Sequence, residues 1–322
     1  MRAKALYPLK LEPRYHVKVW GGSRLKTHLN KPLPSNEPYG ESWELHDTST
    51  VANGPLSGKT LRELTTAYGA ALIGAGNDRQ DGFPLLAKFI DADQWLSIQV
   101  HPNDEQALEL EGEPRGKTEA WIVVHAEEGA RLVIGAQPGV SRQDMAGAIR
   151  ENRLENYMRY AGVREGDVLF IPANTVHALG PGLLIYEIQQ SSDTTYRLYD
   201  WGRAGLDGKP RQLHIDKGLR VANLDHAPDI RRPSEDLIVD SEHFMTWRQQ
   251  LKKGGLNLRT GGVFQALTCL EGEIRAAAAE HEPIALSKGE TGLIPACFEE
   301  FALSGVGTVL RSCQRSPGSS PG

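Results

Sequence analysis

The chain has 322 residues, enough for a large hydrophobic core and for two domains, and a formal net charge of −5. Its lysines and arginines are scattered along the sequence, which argues against a nucleic-acid-binding surface. Three cysteines are an odd count and favour a reducing compartment over a disulfide framework. The sequence has neither an apolar signal core nor a run long enough to cross a bilayer. We therefore expect a cytoplasmic protein with no membrane or nucleic-acid partner.

The first 90 residues are dominated by predicted strands. Residues 6–20 suggest a strand interrupted by prolines, residues 41–45 suggest a second strand, and Thr60 is a helix cap. The apolar run 85–90 predicts a buried strand, and Lys88 is its only charged residue. A lysine in such a run either extends its ammonium to solvent or faces a pocket that holds an anion.

The stretch 95–121 carries the first polar pattern with chemical meaning. Strict alternation places Ser97, Gln99 and His101 on one face of a strand and aliphatic residues on the other. A polar face that ends in a histidine suits the inside of a barrel that holds a ligand. A second strand opens beside Glu119, which would lie near His101 if the two strands belong to one sheet.

A third candidate ligand comes from the stretch 166–177, Gly-Asp-Val-Leu-Phe-Ile-Pro-Ala-Asn-Thr-Val-His. It predicts a glycine turn, a short apolar strand, a proline-bounded turn and a histidine, His177, that opens the next strand. This pattern is similar to the second signature of cupin barrels, in which such a turn delivers a histidine to a metal ion. Together with His101 and Glu119, it predicts a zinc-type site.

Other segments indicate a helical insertion and a second barrel. Residues 141–160 show the clearest helical pattern, with a serine cap and an apolar stripe. The proline-rich, charged segment 226–237 is typical of a linker. Residues 289–300 repeat the Gly, Pro-Ala spacing of the stretch 166–177, with Glu300 at the histidine position. This echo suggests a second barrel that lacks a metal histidine.

Seven motifs in order resemble class I mannose-6-phosphate isomerases of the shorter bacterial type. The resemblance covers residues 6–225 densely and implies a mainly β fold of two cupin-type β-barrels, or jelly rolls. The first barrel would bind a metal, the second would be degenerate, and a small helical insertion would lie near 141–160. We expect a catalytic domain at 1–230 and the degenerate barrel, with a flexible tail, at 231–322. The motifs lie at residues 20–22, 39–44, 83–88, 99–102, 117–121, 172–179 and 195–203.

The resemblance also implies a metal-ligand set. His101, Glu119 and His177 would bind one Zn²⁺ per chain, and Gln99 would be a fourth ligand through its amide oxygen. Manganese, cobalt or iron suit the same nitrogen and oxygen donors. The usual first cupin signature has two neighbouring histidines before the glutamate. Here Gln99 and His101 occupy the place of that pair.

The implied reaction interconverts D-mannose 6-phosphate and D-fructose 6-phosphate through a cis-enediol, a step that supplies the precursor of GDP-mannose. Lys88 and Ser97 would bind the sugar phosphate. Arg197 cannot act as a base at neutral pH, so it would clamp the phosphate or stabilise the enediolate. Lys117 is the catalytic candidate for proton transfer, with Glu187 and a metal-bound water as rivals.

Other functions are compatible with parts of this pattern. The chain could isomerise other sugar phosphates. A cupin oxygenase usually has two or three histidines beside its glutamate, which disfavours that class here. A non-catalytic sugar-binding or storage cupin often lacks metal ligands, whereas this sequence keeps a full set. The small-molecule partner would be a sugar phosphate, and the pattern leaves open whether the protein is a monomer or a homodimer.

Overall fold

Strands separated by tight turns make up most of the computed structural model, which describes residues 6–76 and 81–315. The end of the predicted flexible tail, residues 316–322, lies outside these ranges. No helix in the described ranges is long and apolar enough to span a bilayer. The α-helices are α1 (Arg24–Thr27), α2 (Leu61–Tyr68), α3 (Ala70–Ile73), α4 (Asp104–Glu111), α5 (Arg142–Arg150) and α6 (Ile215–Val221). The strands are β1 (Leu9–Glu12), β2 (Arg14–Gly22), β3 (Tyr39–Leu45), β4 (Thr50–Val51), β5 (Leu85–Ala92), β6 (Ile98–Val100), β7 (Glu119–Ala126), β8 (Arg131–Ala136), β9 (Met158–Gly162), β10 (Val168–Ile171), β11 (His177–Leu179), β12 (Leu183–Gln190), β13 (Tyr196–Tyr199), β14 (Ile230–Arg231), β15 (Leu237–Asp240), β16 (Phe244–Leu251), β17 (Leu256–Arg259), β18 (Gln265–Ala277), β19 (Ile284–Ser287), β20 (Thr291–Ile294) and β21 (Glu300–Gln314).

Two antiparallel sheets share an apolar cluster and form the part that holds the candidate site. The seven-stranded sheet has the order β14-β10-β7-β12-β5-β3-β2, and the five-stranded sheet has the order β13-β6-β11-β8-β9. Trp20, Ile90 and Ile185 from the first sheet pack with Leu132 and Leu179 from the second. The predicted mainly β fold is confirmed, and the first jelly roll is a pair of facing sheets with open edges.

The nine-stranded sheet covers the other face of the seven-stranded sheet. Its path is β15-β16-β21-β18-β20-β1-β4, with β17 and β19 paired to β21 and β18. Phe89 and Tyr186 of the seven-stranded sheet pack with Leu293 of the nine-stranded sheet and with Phe264, which directly precedes β18. Strands β1 and β4 come from the N-terminal part of the chain, so the two predicted domains share this sheet. The boundary at residue 230 therefore stays a prediction.

The helical insertion is shorter than the pattern predicts. The serine cap is confirmed, because Ser141 Oγ accepts from Asp144 N in a capping box, but α5 ends at Arg150. Asn152 then adopts a φ of 53°, a left-handed conformation that stops a helix. Met158 begins strand β9, which pairs with β8, so the prediction of helix through residue 160 was wrong.

Two smaller expectations also differ. The buried strand predicted at residues 85–90 continues to Ala92, and the buried Asp91 carboxylate near its end pairs with Arg24 Nη1 at 2.9 Å. The segment 226–237 is more than a linker, since Ile230–Arg231 adds an edge strand beside β10.

The repeated spacing in the sequence corresponds to a repeated turn and strand in the structure. Gly166 and Gly289 have φ values of 85° and 83°, and each is followed by a strand of four residues, β10 and β20. The next strands then begin at His177 and Glu300. His177 is fully buried, whereas Glu300 is exposed.

Candidate metal centre

One row of residues runs across three strands of the five-stranded sheet. Arg197 pairs with Gln99, and Gln99 pairs with His177. Directly paired residues of antiparallel strands have their side chains on the same face. The row therefore places an arginine, an amide and an imidazole side by side on one face of this sheet. Ser97, two residues before Gln99 in the chain, lies beside this row, with its Oγ 3.4 Å from Gln99 Oε1.

The seven-stranded sheet contributes the opposite wall. In its register, Lys88 pairs with Glu187, and Glu187 pairs with Trp121. Glu119 lies two residues before Trp121 on β7, so strand alternation puts it on the same face. The Trp121 Nε1–H donates to Glu187 Oε2 at 2.9 Å, which fixes that carboxylate. A cavity of about 250 Å³ lies between the two walls.

His101, Glu119 and His177 meet behind Gln99 and Lys117, which line this cavity. His177 Nε2 lies 3.3 Å from Glu119 Oε1, and His101 Nε2 lies 3.6 Å from Glu119 Oε2. One ligand atom from each residue lies within 4.8 Å of the others. All three are buried, and they are the one group of this kind within residues 6–76 and 81–315. The structure thus brings together the three residues that the sequence predicted as ligands.

Each histidine is oriented by a backbone carbonyl. His101 Nδ1 lies 3.0 Å from Thr194 O, and His177 Nδ1 lies 2.9 Å from Thr175 O. A proton on Nδ1 leaves the Nε2 lone pair free to point at a metal. Burial lowers the pKa of His177, and burial with the nearby charge of Lys117 lowers that of His101 well below its ordinary value. Both imidazoles are therefore neutral at neutral pH, as ligands must be.

The carboxylate of Glu119 is also in the form that binds metals. Burial alone would raise its pKa, but the nearby positive charges, chiefly that of the Lys117 ammonium 3.0 Å from Glu119 Oε2, together outweigh burial and lower it. Glu119 Oε2 is held by the Lys117 ammonium, whereas Glu119 Oε1 accepts no hydrogen bond from the described residues. A buried carboxylate with free acceptor positions beside two neutral imidazoles fits a divalent cation of the zinc type.

Gln99 is placed beside these residues. Its Nε2 lies 3.3 Å from His177 Nε2. A half-turn of the amide exchanges its nitrogen and oxygen, and it would present the oxygen as a ligand. The position suits the predicted fourth ligand, and the amide orientation decides whether it acts as one.

A series of charged side chains with alternating sign lines one wall of the cavity. Lys88 Nζ lies 3.0 Å from Glu187 Oε1 and 3.8 Å from Glu41 Oε1. Burial opposes the charge of Lys88, but these two carboxylates outweigh it and raise the pKa of Lys88. Burial and the charge of Glu119 raise the pKa of Glu187. In order from the surface inward, the series is Lys18, Glu41, Lys88, Glu187, Lys117 and Glu119.

The predicted binding and catalytic residues line the same cavity, and some lining residues were missed. Lys88, Ser97, Gln99, Lys117 and Arg197 are all on its surface. Glu41 and Lys18 were missed because a charge in a strand does not show which face it occupies. Asp193 and Arg211 lie in segments without periodicity and gave no signal at all. The lining residues that the sequence analysis did not assign to the site include Lys18, Glu41, Asp193 and Arg211.

A polar cavity between two antiparallel sheets, with a buried His-Glu-His group beside it, defines the class as a β protein with a group that could hold a metal ion. Comparison with known proteins narrows this class. Residues 8–119 match the family model for the catalytic domain of type I phosphomannose isomerase. The mannose-6-phosphate isomerase of Streptococcus mutans is 33% identical over 316 residues, which are 95% of this chain and 98% of that protein.

Two proteins of Bacillus subtilis agree with this. Mannose-6-phosphate isomerase ManA is 34% identical over 317 residues, covering 95% of this chain and 98% of that protein. The crystal structure of a mannose 6-phosphate isomerase from the same organism superposes with a TM-score of 0.84 at 30% identity. That superposition covers 95% of this chain and 99% of the other. The chain belongs to the type I mannose-6-phosphate isomerase family, which confirms the resemblance.

Proposed function

We propose that this protein is a metal-dependent aldose–ketose isomerase that interconverts D-mannose 6-phosphate and D-fructose 6-phosphate. The observation that carries the proposal is the buried His101–Glu119–His177 group, in which Glu119 Oε1 accepts no hydrogen bond from described residues. The same cavity also holds lysine and arginine side chains suited to a phosphorylated sugar. Family membership supports the same substrate, because the S. mutans and B. subtilis relatives are mannose-6-phosphate isomerases.

The metal would be held by His101, Glu119, His177 and Gln99, as one Zn²⁺ per chain. Nitrogen and oxygen donors of this kind suit zinc and also accept manganese, cobalt or iron. When bound, the metal would act as a Lewis acid that polarises the oxygens at C1 and C2 of the sugar. Two neutral imidazoles and a single carboxylate would leave net positive charge on the ion for that purpose.

The side chains around this group would do the rest of the chemistry. Lys117 Nζ lies 3.0 Å from Glu119 Oε2 and 3.2 Å from His101 Nε2, so it reaches the place where the reacting carbons would lie. We assign it the catalytic role beside Arg197, which would stabilise negative charge on the substrate. Glu187, 3.9 Å from Lys117 Nζ, is the rival for the proton transfer that forms the cis-enediol.

Lys88 and Ser97 would hold the sugar phosphate together with Arg197. All three line the cavity, on the two opposite walls. The charge of Lys88 is balanced by Glu187 and Glu41. Because an ammonium has three N–H donors, Lys88 would still donate to a hydroxyl group or a phosphate of the substrate. A soluble sugar phosphate is a cytoplasmic metabolite, and we place the enzyme in that compartment.

A coupled assay of the purified protein with mannose 6-phosphate, following fructose 6-phosphate, tests this function. The assay is run as purified, after chelation, and after zinc is restored. We expect turnover to disappear on chelation and to return with zinc. Absence of turnover in a sample with one bound metal per chain would contradict the proposed reaction. Running it under anaerobic conditions separates the isomerase from an oxygenase, because isomerisation needs no O₂.

A further inference from the structure

Two arginines and one aspartate form a compact cluster beside the cavity. Arg211 Nε lies 2.7 Å from Asp200 Oδ2, and Arg203 Nη2 lies 2.9 Å from Asp200 Oδ1. Asp200 is buried, and burial would raise its pKa, but the guanidinium of Arg211 and then that of Arg203 outweigh burial and lower it. The carboxylate is therefore ionised and holds two cations. Arg211 lines the cavity, whereas Arg203 does not contribute to its surface.

This end of the cavity has surplus positive charge. Two guanidinium groups on one carboxylate leave one uncompensated positive charge. Arg197 adds another, because it forms no ion pair with the described residues and donates from Nη1 only to the carbonyl of Gln212, at 2.9 Å. Its Nε is buried and has no hydrogen-bond partner within the described ranges. The charge of Lys88, by contrast, is balanced by carboxylates on the opposite wall.

We propose that Arg211 is a second phosphate ligand beside Arg197, and that Asp200 is the positioning residue that aims it into the cavity. The inference rests on the proposed function, because it assumes a phosphorylated sugar. A phosphate dianion matches the surplus charge of the two arginines, and guanidinium forks bind phosphate oxygens in pairs. Arg211 donates to Asp200 from Nε and Nη2, so it can stay on this carboxylate and offer Nη1 to the phosphate, while Arg203 also neutralises Asp200.

The register of the sheet also fixes the direction in which the substrate lies. Arg197, Gln99 and His177 are on three adjacent strands, so the outer two are roughly 10 Å apart at the backbone. This spacing is comparable with the length of an open-chain sugar phosphate. A phosphate held by Arg197 and Arg211 would therefore direct C1 and C2 toward the His-Glu-His group at the other end of the row.

Binding measurements with Arg211→Gln and Arg211→Lys test this assignment. Calorimetric titrations of the metal-loaded protein use inorganic phosphate and, separately, fructose 6-phosphate. We expect Arg211→Gln to weaken both by about 10- to 100-fold, the range for a lost charge-assisted hydrogen-bonding partner. Arg211→Lys should recover part of the affinity, because it restores a point charge without the fork. In steady state, the loss should fall on KM, with kcat within about threefold of wild type.

The matched control is Arg232→Gln. Arg232 also pairs with a fully buried aspartate, Asp167, at 2.5 Å, but lies outside the cavity. It should leave both affinities unchanged. Asp200→Asn should weaken phosphate binding although it removes a negative charge, since Arg211 would lose its support. A folded Arg211→Gln protein with wild-type affinity for phosphate would overturn the assignment.

The outcome also separates this inference from the proposed reaction. Phosphate binding that depends on Arg211 in a protein without isomerase activity would support the anion site and reject mannose 6-phosphate as the substrate. Normal isomerase activity with an unchanged KM in Arg211→Gln would support the reaction and reject the role of Arg211.

Discussion

The two halves of the molecule contain the same turn and strand unit with different outcomes. After Gly166 the chain forms β10, passes a proline turn and places His177 in a buried site, whereas after Gly289 it forms β20 and places Glu300 in solvent. The turn alone therefore does not make a site. The difference lies in the facing strands, because only the first unit lies against strands that bring Gln99 and Glu119 to it.

The two halves also differ in what fills the space between strands. Aliphatic residues such as Leu267, Ile274 and Leu303 fill a second apolar cluster of the nine-stranded sheet. The space between the seven- and five-stranded sheets is apolar only in part, and its other end is filled with paired charges. Charges in a cavity that excludes much water interact strongly, and that is the setting an electrostatic catalyst needs.

The largest effect should come from replacing His177, and it is compared with replacing Glu300, the equivalent residue after the second turn. His177→Ala removes a proposed metal ligand, and we expect turnover to fall by about 10³-fold or more, beyond the 10- to 100-fold typical of losing an outer-shell partner. Glu300→Ala changes an exposed side chain and should alter stability by less than about 0.5 kcal/mol and turnover not at all. Metal analysis and the coupled assay measure both. An equal loss of turnover in the two variants would contradict the conclusion that only the turn before His177 contributes to the site.

A second comparison concerns Lys117, whose ammonium lies in the cavity beside Glu119. Lys117→Met should lower kcat by about 10²-fold, the lower range for a lost proton-transfer group, while metal content stays at the wild-type level. The measurement is kcat together with metal per chain in the same preparation. Should kcat stay within threefold of wild type with the metal retained, the proton carrier is another group, and Glu187→Gln becomes the next variant.

The matched lysine is Lys31, which forms a buried ion pair between the seven- and nine-stranded sheets. Its Nζ lies 2.6 Å from Glu44 Oε1, and Glu44 also accepts from Thr291 Oγ1 at 3.3 Å. Lys31→Met leaves Glu44 buried without its counter-charge, which should lower the free energy of unfolding by about 3–5 kcal/mol. The folded variant should keep the kcat of wild type, since this pair does not line the cavity.

Denaturant unfolding of the single and double variants checks the cause. Adding Glu44→Gln to Lys31→Met removes the unpaired charge while keeping an acceptor, and it should restore part of the lost stability. If Lys31→Met lowered kcat as much as Lys117→Met does, the two buried lysines would not differ in role as their positions indicate.

The sequence predicts that His101, Glu119 and His177 lie close together, because its signals are local. Alternation in one strand places Gln99 and His101 on one face, and the proline turn delivers His177 to the start of another. These patterns depend on residues that are neighbours in the chain. The structure brings the three proposed ligands together through strands that the same patterns predict.

The rest of the cavity depends on contacts that are distant in the chain. Glu41 and Glu44 stand in one strand, but Glu41 faces the cavity and Glu44 faces the nine-stranded sheet. Because the seven-stranded sheet is covered on both faces, hydrophobicity does not distinguish the two sides. Arg211 is even less predictable, since its direction is set by an ion pair with Asp200 across a loop.

Glu41 also gives the smallest predicted effect, which is a dependence of stability on pH. Burial would raise its pKa, but the charges of Lys88 and Lys18 outweigh burial and lower it from 4.5 to about 2. A carboxyl whose pKa is lower in the folded state stabilises the fold above its unfolded pKa. This contribution, about 3 kcal/mol, should be complete above about pH 5 and should decline as the pH falls toward 2.

Chemical denaturation of wild type and Glu41→Gln between about pH 2 and 7 measures this contribution, because it includes the decline from about pH 5 toward 2. The variant should have a shallower loss of stability below pH 5, because it lacks the carboxyl that must be protonated. Glu300→Gln is the control, since it removes an exposed carboxyl that does not belong to this series of charges. If Glu41→Gln followed the wild-type profile, Glu41 would add no stability to the folded protein. The alternating charges would then serve to bind the substrate and not to stabilise the fold.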